Sequence, residues 1–392
     1  MSAPRRLRVV VLNRRFGVRF GGAERYSVEL VRELAPLHDI HVFAQDIDHD
    51  VKGIHTHRVP ILIRRPRWLN QLWFAAWTWW KTRGAFDLVH SHENTWHGDV
   101  QTIHVRPFRL GLVRGRVGLA RHLRIGSIAL SPRRLSYWIL ESLRMRRLRG
   151  RQIIASSVTL RDEILAAWPQ LAPAMHVLSP GVRVPEAAES SGPNVGREAL
   201  GLPTEALGAP LALFVANDLI KKGLPVLLAA LAQVEGVHLM VVTAQAAVAK
   251  TFALARRAGV ADRVHPFGRL ADVSLAYRAA DFLVHPTTED TYAMVVLEAM
   301  AWALPVIVSD ARHCGIAAEL RDRVDAILLE DPGNVARLAA LIRELINDEA
   351  LAHALRCAGP EFAAQRTWAI QAQALQRVYE KAGRMPAIRK GP

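Results

Sequence analysis

Short apolar runs, each followed by a longer amphipathic or turn-rich segment, recur along the whole chain and restrict its folds more than any other feature. Leu7-Arg-Val-Val-Val-Leu12 is the first such run, and Ala23 to Leu34 behind it sets Val28, Leu30, Val31 and Leu34 on one side of a helix. Strand-like runs follow at Ile40–Ala44, Asp87–His90, Gln101–His104, Ile153–Ser156 and His176–Leu178. The second half repeats the form at Leu211–Val215, His238–Val242, Val264–Phe267, Phe282–His285, Val306–Ser309 and Ala326–Leu329. Strands that alternate with helices, and that are apolar on both sides, predict parallel sheets covered on both faces. The fold class expected is therefore α/β, with doubly wound, Rossmann-like domains whose ligands sit at the carboxyl ends of the strands.

A chain of 392 residues exceeds what one core holds, so two such domains are expected. Proline, glycine and serine cluster at Ser179-Pro-Gly-Val-Arg-Val-Pro185, and helical periodicity lapses through Glu186–Asn194. This places an amino-terminal domain over 1–182 and a second over 183–365, with a final helical segment over 366–392. Two similar domains joined by a short linker predict a cleft between them.

Four stretches carry chemistry. The loop after the first strand ends in Gly21-Gly22 before a helix, where the backbone can approach a phosphate; taken alone, such a pair is more often a plain turn. Its glycine spacing is not that of a dinucleotide fingerprint. Val215-Ala-Asn217-Asp-Leu-Ile-Lys221-Lys222-Gly223 follows the first strand of the second half, and its lysines suit a diphosphate or simply a solvated loop. Arg269, in Phe267-Gly268-Arg269, stands at another strand end, facing either a base or solvent. The fourth is His285-Pro-Thr-Thr-Glu289-Asp290-Thr291-Tyr292-Ala293-Met294-Val-Val-Leu-Glu298. Glu298 lies about two turns into the predicted helix, among apolar neighbours where an unpaired carboxylate is costly. Ribose hydroxyls would satisfy it; the plainer alternative is a capping acid at Asp290 with a structural glutamate bonded to backbone behind it.

In this order the motifs resemble those of the family-4 retaining glycosyltransferases, which have the GT-B fold of two Rossmann-like domains facing across a cleft. Within that family the chain is most similar to lipopolysaccharide core glucosyltransferases. The resemblance runs through Gly21-Gly22-Ala-Glu-Arg, Ser179-Pro-Gly181, Lys221-Lys222-Gly223, Gly268-Arg269 and the acid-x7-Glu signature, to a closing segment, Thr367-Trp368 to Tyr379, that resembles the helix crossing back onto the first domain in this fold. It implies that Gly21, Gly22, Asn217, Lys221 and Lys222 hold the donor diphosphate, with Glu298 on the ribose and Arg269 near the base. Asp290 is implied to contact the donor sugar, adjacent Glu289 to share that role, and the backbone from Thr291 through Tyr292 and Ala293 to Met294 to lie along sugar and phosphates. His104 matches a histidine beside the transferred sugar. Two departures bear on donor-sugar identity: Asp290 stands where glutamate is usual, and Ala293 where glycine is usual.

The activity implied is transfer of a hexose, with retained configuration, from a nucleoside diphosphate sugar (UDP-linked) to a lipopolysaccharide-type or other cell-envelope glycan. No carboxylate is an obvious covalent nucleophile. Lys221, Lys222 and the amides around Gly22 would stabilise charge on the departing diphosphate, which makes a metal or other cofactor unnecessary. A catalytically degenerate GT-B protein acting as a membrane-associated binding partner is the alternative.

The formal charge of +15 predicts acidic partners, and it is uneven. Between Arg106 and Arg151 stand 13 arginines and a single acid, Glu141. Apolar Leu110, Leu112, Val113, Leu119, Leu123, Ile125 and Ile128 lie among them, as in a surface facing anionic lipid or a phosphorylated lipid-linked acceptor. Upstream, Trp68, Leu69, Leu72, Trp73, Ala76, Trp77, Trp79 and Trp80 share one broad helix face, with Asn70, Gln71 and Thr78 opposite. Such a helix is either interfacial or part of the core or acceptor cleft of the first domain. No RNA-binding signature or zinc-finger spacing supports nucleic acid. Two cysteines, Cys314 and Cys357, and no signal-peptide pattern fit a cytoplasmic protein, peripheral on the inner membrane face. The Asp-x-Asp pairs in Gln45-Asp46-Ile-Asp48-His-Asp50 would bind metal in another transferase fold, but read here as a solvated acidic loop.

Overall fold

The computed structural model describes residues 6–113, 118, 126–128, 130–186 and 193–383. Leu119, Leu123 and Ile125 of the arginine-rich segment lie outside them, as does most of the 186–194 stretch. The chain divides into two compact units, 1–181 with 368–392 and 182–367.

The first unit holds a seven-strand, all-parallel sheet: β1 (Arg8–Leu12), β3 (Asp39–Ala44), β5 (His55–Arg58), β6 (Leu88–Ser91), β7 (Val100–Ile103), β8 (Gln152–Ala155) and β9 (Met175–Val177). Their order is β5-β3-β1-β6-β7-β8-β9. The path therefore reverses between β1 and β6. Val9 to Leu12 are buried on both faces, as a covered parallel strand requires. Helix Gly22–Leu34 turns Tyr26, Val28, Leu30, Val31 and Leu34 inward and packs on the returning helix Trp368–Gly383. Tyr379 of that helix binds His90 Nδ1 at 2.8 Å, and Gly181 lies so close to Trp368 that a Cβ would stand 2.8 Å from its backbone.

A second, two-strand sheet pairs β2 (Arg15–Gly17) with β4 (Asp46–Asp48). The acidic run is thus not a solvated loop. Asp46–Asp48 is paired backbone, Asp48 lies 3.5 Å from Arg19, and Asp50 accepts from Arg32 at 2.7 Å. β2, β4 and β5 gave no sequence signal, being too short or too polar for an apolar period of two.

Helix Arg67–Thr82 buries Gln71, Phe74, Ala75, Thr78 and Thr82. The side with Gln71 and Thr78 faces the domain, Trp68, Trp73 and Trp77 are half-buried, and Trp79 and Trp80 lie outward. The helix is thus part of the first unit's core through Phe74 and Trp77 and solvent-facing at Trp79 and Trp80. The hydroxyls of Thr78 and Thr82 donate back to helix carbonyls, which satisfies them once buried.

In the second unit β10 (Leu211–Val215), β11 (His238–Val242), β12 (Val264–Phe267), β13 (Phe282–His285), β14 (Val306–Ser309) and β15 (Ile327–Leu329) form a six-strand parallel sheet, ordered β12-β11-β10-β13-β14-β15. Alternation divides its core between two faces. Leu211, Leu213, Met240, Leu283, Val306 and Val308 pack on one side, and Ala212, Phe214, Leu239, Val241, Val284 and Ile307 on the other. The order reverses between β10 and β13, so the loops leaving those strands flank the point where such sheets bind ligands.

Candidate functional site

The loops after β10 and β13 meet at that reversal. Gly223 makes the meeting possible. Its φ is +86°, and a Cβ on it would stand 2.0 Å from the Pro286 carbonyl oxygen. Thr288 N and Oγ1 both donate to Lys221 O at 3.0 Å. Lys222 Nζ reaches the other loop, donating to Asp290 Oδ2 at 2.5 Å and to Glu289 O at 3.1 Å. Lys221 Nζ lies 3.5 Å from Glu289 Oε1. Two lysines and two acids therefore alternate across the paired loops.

Asp290 is engaged on both oxygens. Oδ1 accepts from the backbone N–H of Tyr292 at 3.2 Å and of Ala293 at 3.0 Å, ahead of helix Met294–Ala301. Oδ2 takes Lys222 and, at 3.3 Å, His285 Nε2. Burial pushes this carboxyl up, but His285 and the Lys222 ammonium outweigh it and hold the group well below the usual carboxylate range. The loop after β14 joins through Asp290 N, which donates to His313 O at 2.8 Å, and Gly315 N, which donates to Asp290 O at 3.0 Å. Ala293, before the helix, has φ +71°, in the left-handed region.

Glu298 lies in the same helix, buried, and accepts from the Tyr277 hydroxyl at 2.5 Å. Asp290 therefore shapes the turn ahead of the helix, whose N-cap is Ala293 without a side-chain cap, and Glu298 has the Tyr277 hydroxyl as a side-chain partner. Thr291 and Met294 are half-buried, and Tyr292 and Ala293 buried. Asn217 and Lys221 are exposed on the first loop. Arg269 is exposed beyond β12, two strands from the meeting point, where Gly268 packs on Gln245.

Gly21, Gly22 and His104 belong to the first unit. Gly22 opens helix Gly22–Leu34, and Gly21 is extended at φ 168°, so no left-handed turn requires glycine there. His104 follows β7 and pairs with His92 Nδ1 at 2.9 Å, against the edge of Tyr26. Burial, then Arg144, pushes its pKa down to about 3, so it is neutral at physiological pH.

Three residues of the second-unit site were missed. His285 was legible as the last residue of β13, immediately ahead of the acid-x7-Glu run. Gly223 stands in the Lys221-Lys222-Gly223 motif, but its packing against Pro286 has no local sequence signal. Tyr277 stands 21 residues before Glu298 with no periodic link to it.

Residues 20–185 match the model of Glycosyltransferase Family 4, and residues 203–362 that of Glycosyl transferases group 1. Among curated relatives, D-inositol 3-phosphate glycosyltransferase 1 of Catenulispora acidiphila is 30% identical over 251 residues. That match covers 59% of this chain and 57% of the relative's length. The crystal structure of WaaG, a glycosyltransferase involved in lipopolysaccharide biosynthesis, superposes with a TM-score of 0.79 at 21% identity, covering 94% of this chain and 99% of that one. Anabaena HepE in complex with UDP-glucose gives 0.71 at 19% identity, covering 97% and 100%.

Proposed function

The chain belongs to the GT-B glycosyltransferases, with a family 4 amino-terminal region and a group 1 carboxyl-terminal region, and from that premise we propose that it moves a hexose from a nucleoside diphosphate sugar to a cell-envelope glycan, with retained configuration. The observation that carries this reading is the Lys222–Asp290 contact at the strand-order reversal of the second unit. A diphosphate placed there exchanges the lysines' carboxylate partners for its own oxygens. As the sugar departs with oxocarbenium character, negative charge grows on that diphosphate. Lys221, Lys222 and the amino end of helix Met294–Ala301 are set to meet it. The lysines supply positive charge that a metal ion would otherwise bring.

Asp290 is committed to two backbone amides, a lysine and a histidine. We assign it to holding Lys222 and shaping the turn, and Glu289 beside it to the sugar hydroxyls. Glu298, oriented by Tyr277, takes the ribose. UDP-glucose, the ligand of the HepE structure, is the first donor to try, and the likeness to WaaG favours a lipopolysaccharide-type acceptor.

No helix among the described residues is long and apolar enough to cross a membrane. The first unit does present an apolar and basic surface. Trp79 is 40% and Trp80 62% exposed, with Lys81 and Arg83 over their rings. Helix Pro132–Arg144, which packs on the tryptophan helix, exposes Leu135, Trp138, Ile139 and Leu143 beside Arg133 and Arg134. This supports a peripheral position on an anionic leaflet, at the cytoplasmic face, rather than on nucleic acid.

The deciding experiment is donor hydrolysis and transfer with a panel of sugar nucleotides, for the wild type and for Lys222→Ala and Glu298→Ala. Turnover of one donor by the wild type, lost in both variants, is expected. Asp290 and Ala293 favour a second reading, a degenerate transferase kept as a binding partner. Absence of turnover above a protein-free blank for every donor would select it.

A further inference from the structure

At the amino edge of the first sheet, opposite the carboxyl ends of its strands, a second polar cluster has no part in the chemistry above. Asp39 and His41 lie two apart on β3 and so share a face, and the register pairs His41 with His55 of the edge strand β5. His57, two further along, shares the face of His55. His41 Nε2 stands 3.3 Å from Asp39 Oδ2, and His55 Nε2 stands 3.5 Å from Asp39 Oδ1. One donor atom from each of the three residues lies within 4.8 Å of the other two.

We propose that Asp39, His41 and His55 form a site for one divalent first-row transition-metal ion, Zn2+ being the ion that this donor set fits. Bonds of about 2.0–2.1 Å in tetrahedral geometry set ligand atoms about 3.3–3.4 Å apart, close to the two separations observed. Two imidazoles and one carboxylate are the ligand types Zn2+ takes, with the fourth position left to water. Asp39 is half-exposed and His55 exposed, so that position opens to solvent.

His41 supplies the independent argument. The residue is 9% exposed, and its buried Nε2 has at most a marginal contact, 3.3 Å from Asp39 Oδ2 and short of good hydrogen-bond alignment. A buried ring nitrogen in that state is costly, and a metal bond removes the cost. Its other nitrogen, Nδ1, lies 2.9 Å from His57 Nε2. When Nδ1 carries the proton and donates to His57, the Nε2 lone pair faces the cluster, the outer-shell arrangement usual for ligating histidines. The cation nearby is Arg8, whose Nε is 3.5 Å from Asp39 Oδ2; its side chain is half-exposed and also held by the Ala85 carbonyl and the Phe86 ring. A bound ion would clip edge strand β5 to β3.

The test is calorimetric titration of the metal-stripped full chain with ZnCl2, with thermal unfolding followed alongside; neither readout depends on transferase activity. One equivalent should bind and raise the unfolding temperature. His55→Ala, at an exposed position, should abolish both effects, and Asp39→Asn should do the same. His57→Gln should weaken binding by about 10- to 100-fold, the usual effect of losing an outer-shell partner. His265→Gln, at the stacked His238–His265 pair of the other unit, should change nothing. Absence of binding by the wild type, or wild-type binding by His55→Ala, overturns the proposal.

Discussion

Nζ of Lys222 stands 2.5 Å from Oδ2 of Asp290, tying the loop after β10 to the loop after β13. Each group is about four-fifths buried, so neither is fully relieved by water when the other is removed. Lys222→Ala would take away the cation closest to the expected diphosphate and leave Asp290 with His285 and two amides. We expect kcat/KM for the donor to fall by about 10²–10³-fold, the scale of losing one group that stabilises transition-state charge. Steady-state kinetics with the preferred donor checks this, and circular dichroism separates lost chemistry from lost fold.

Ala293 occupies left-handed backbone at φ +71°, which costs a non-glycine residue about 1–2 kcal/mol. Glycine relieves that strain but gives back about 0.5–1 kcal/mol of chain entropy. Ala293→Gly should therefore stabilise the second unit by up to about 1.5 kcal/mol, and Ala293→Val should destabilise it. Urea unfolding of the two variants measures both signs. A lowered midpoint in the glycine variant would mean that the turn bears less strain than the chain entropy glycine gives back.

The six-strand sheet of the second unit was legible almost to the residue because its strands are largely apolar runs ended by proline, glycine or charge. β10 to β14 needed only that pattern. β5 did not yield to it, since His55-Thr-His57-Arg58 is polar on both faces and becomes a strand by pairing with β3. The Trp68–Trp80 segment was legible as a helix but not in its orientation. Its wheel divides apolar from polar correctly, yet the fold buries Gln71 and Thr78, whose polar groups find Asn94 O and helix carbonyls. The loops of the site were legible as motifs; the contact of Lys222 with Asp290, 68 residues apart, follows from strand order and has no local signal.

Acid should weaken the first unit. Burial foremost pushes His90, His97 and His104 down to about 3, and His92 well below its ordinary value. An unfolded histidine titrates near 6.5, so below that pH the unfolded chain binds protons that the folded chain refuses. Stability is whole above about pH 6.5 and is lost progressively as pH falls toward about 3. Both ring nitrogens of His97 are buried without hydrogen bonds, so His97→Leu should stabilise the unit, more at about pH 5 than at about pH 7.5. Tryptophan fluorescence follows it, because every tryptophan except Trp302 lies in that unit.

The outward tryptophans predict a lipid phenotype separable from catalysis. Trp79→Ser with Trp80→Ser removes exposed ring surface while leaving Phe74 and Ala75 on the buried side. Flotation with anionic vesicles should fall at least about tenfold, given about 25 cal/mol for each Å² of apolar surface no longer buried in lipid. Turnover of a water-soluble donor should not change. Equal flotation of variant and wild type, or retention on RNA and not on vesicles, would count against the membrane assignment.

Glu298 and Tyr277 offer a way to tell a ribose ligand from a purely structural acid. The Tyr277 hydroxyl donates to Glu298 Oε2, so Tyr277→Phe leaves the carboxylate in place and removes one group that orients it. If Glu298 binds ribose hydroxyls, Glu298→Gln should raise the donor KM roughly tenfold, the value of a hydrogen bond to a charged group at about 1.5–3 kcal/mol less what the amide retains. A deoxyribonucleotide donor should then be used about equally by the variant and the wild type, because the contact is already gone. Tyr277→Phe should shift KM in the same direction by less. A purely structural glutamate predicts the opposite division: both variants lower the unfolding temperature of the second unit, while the ratio of ribose to deoxyribose donor use stays at its wild-type value.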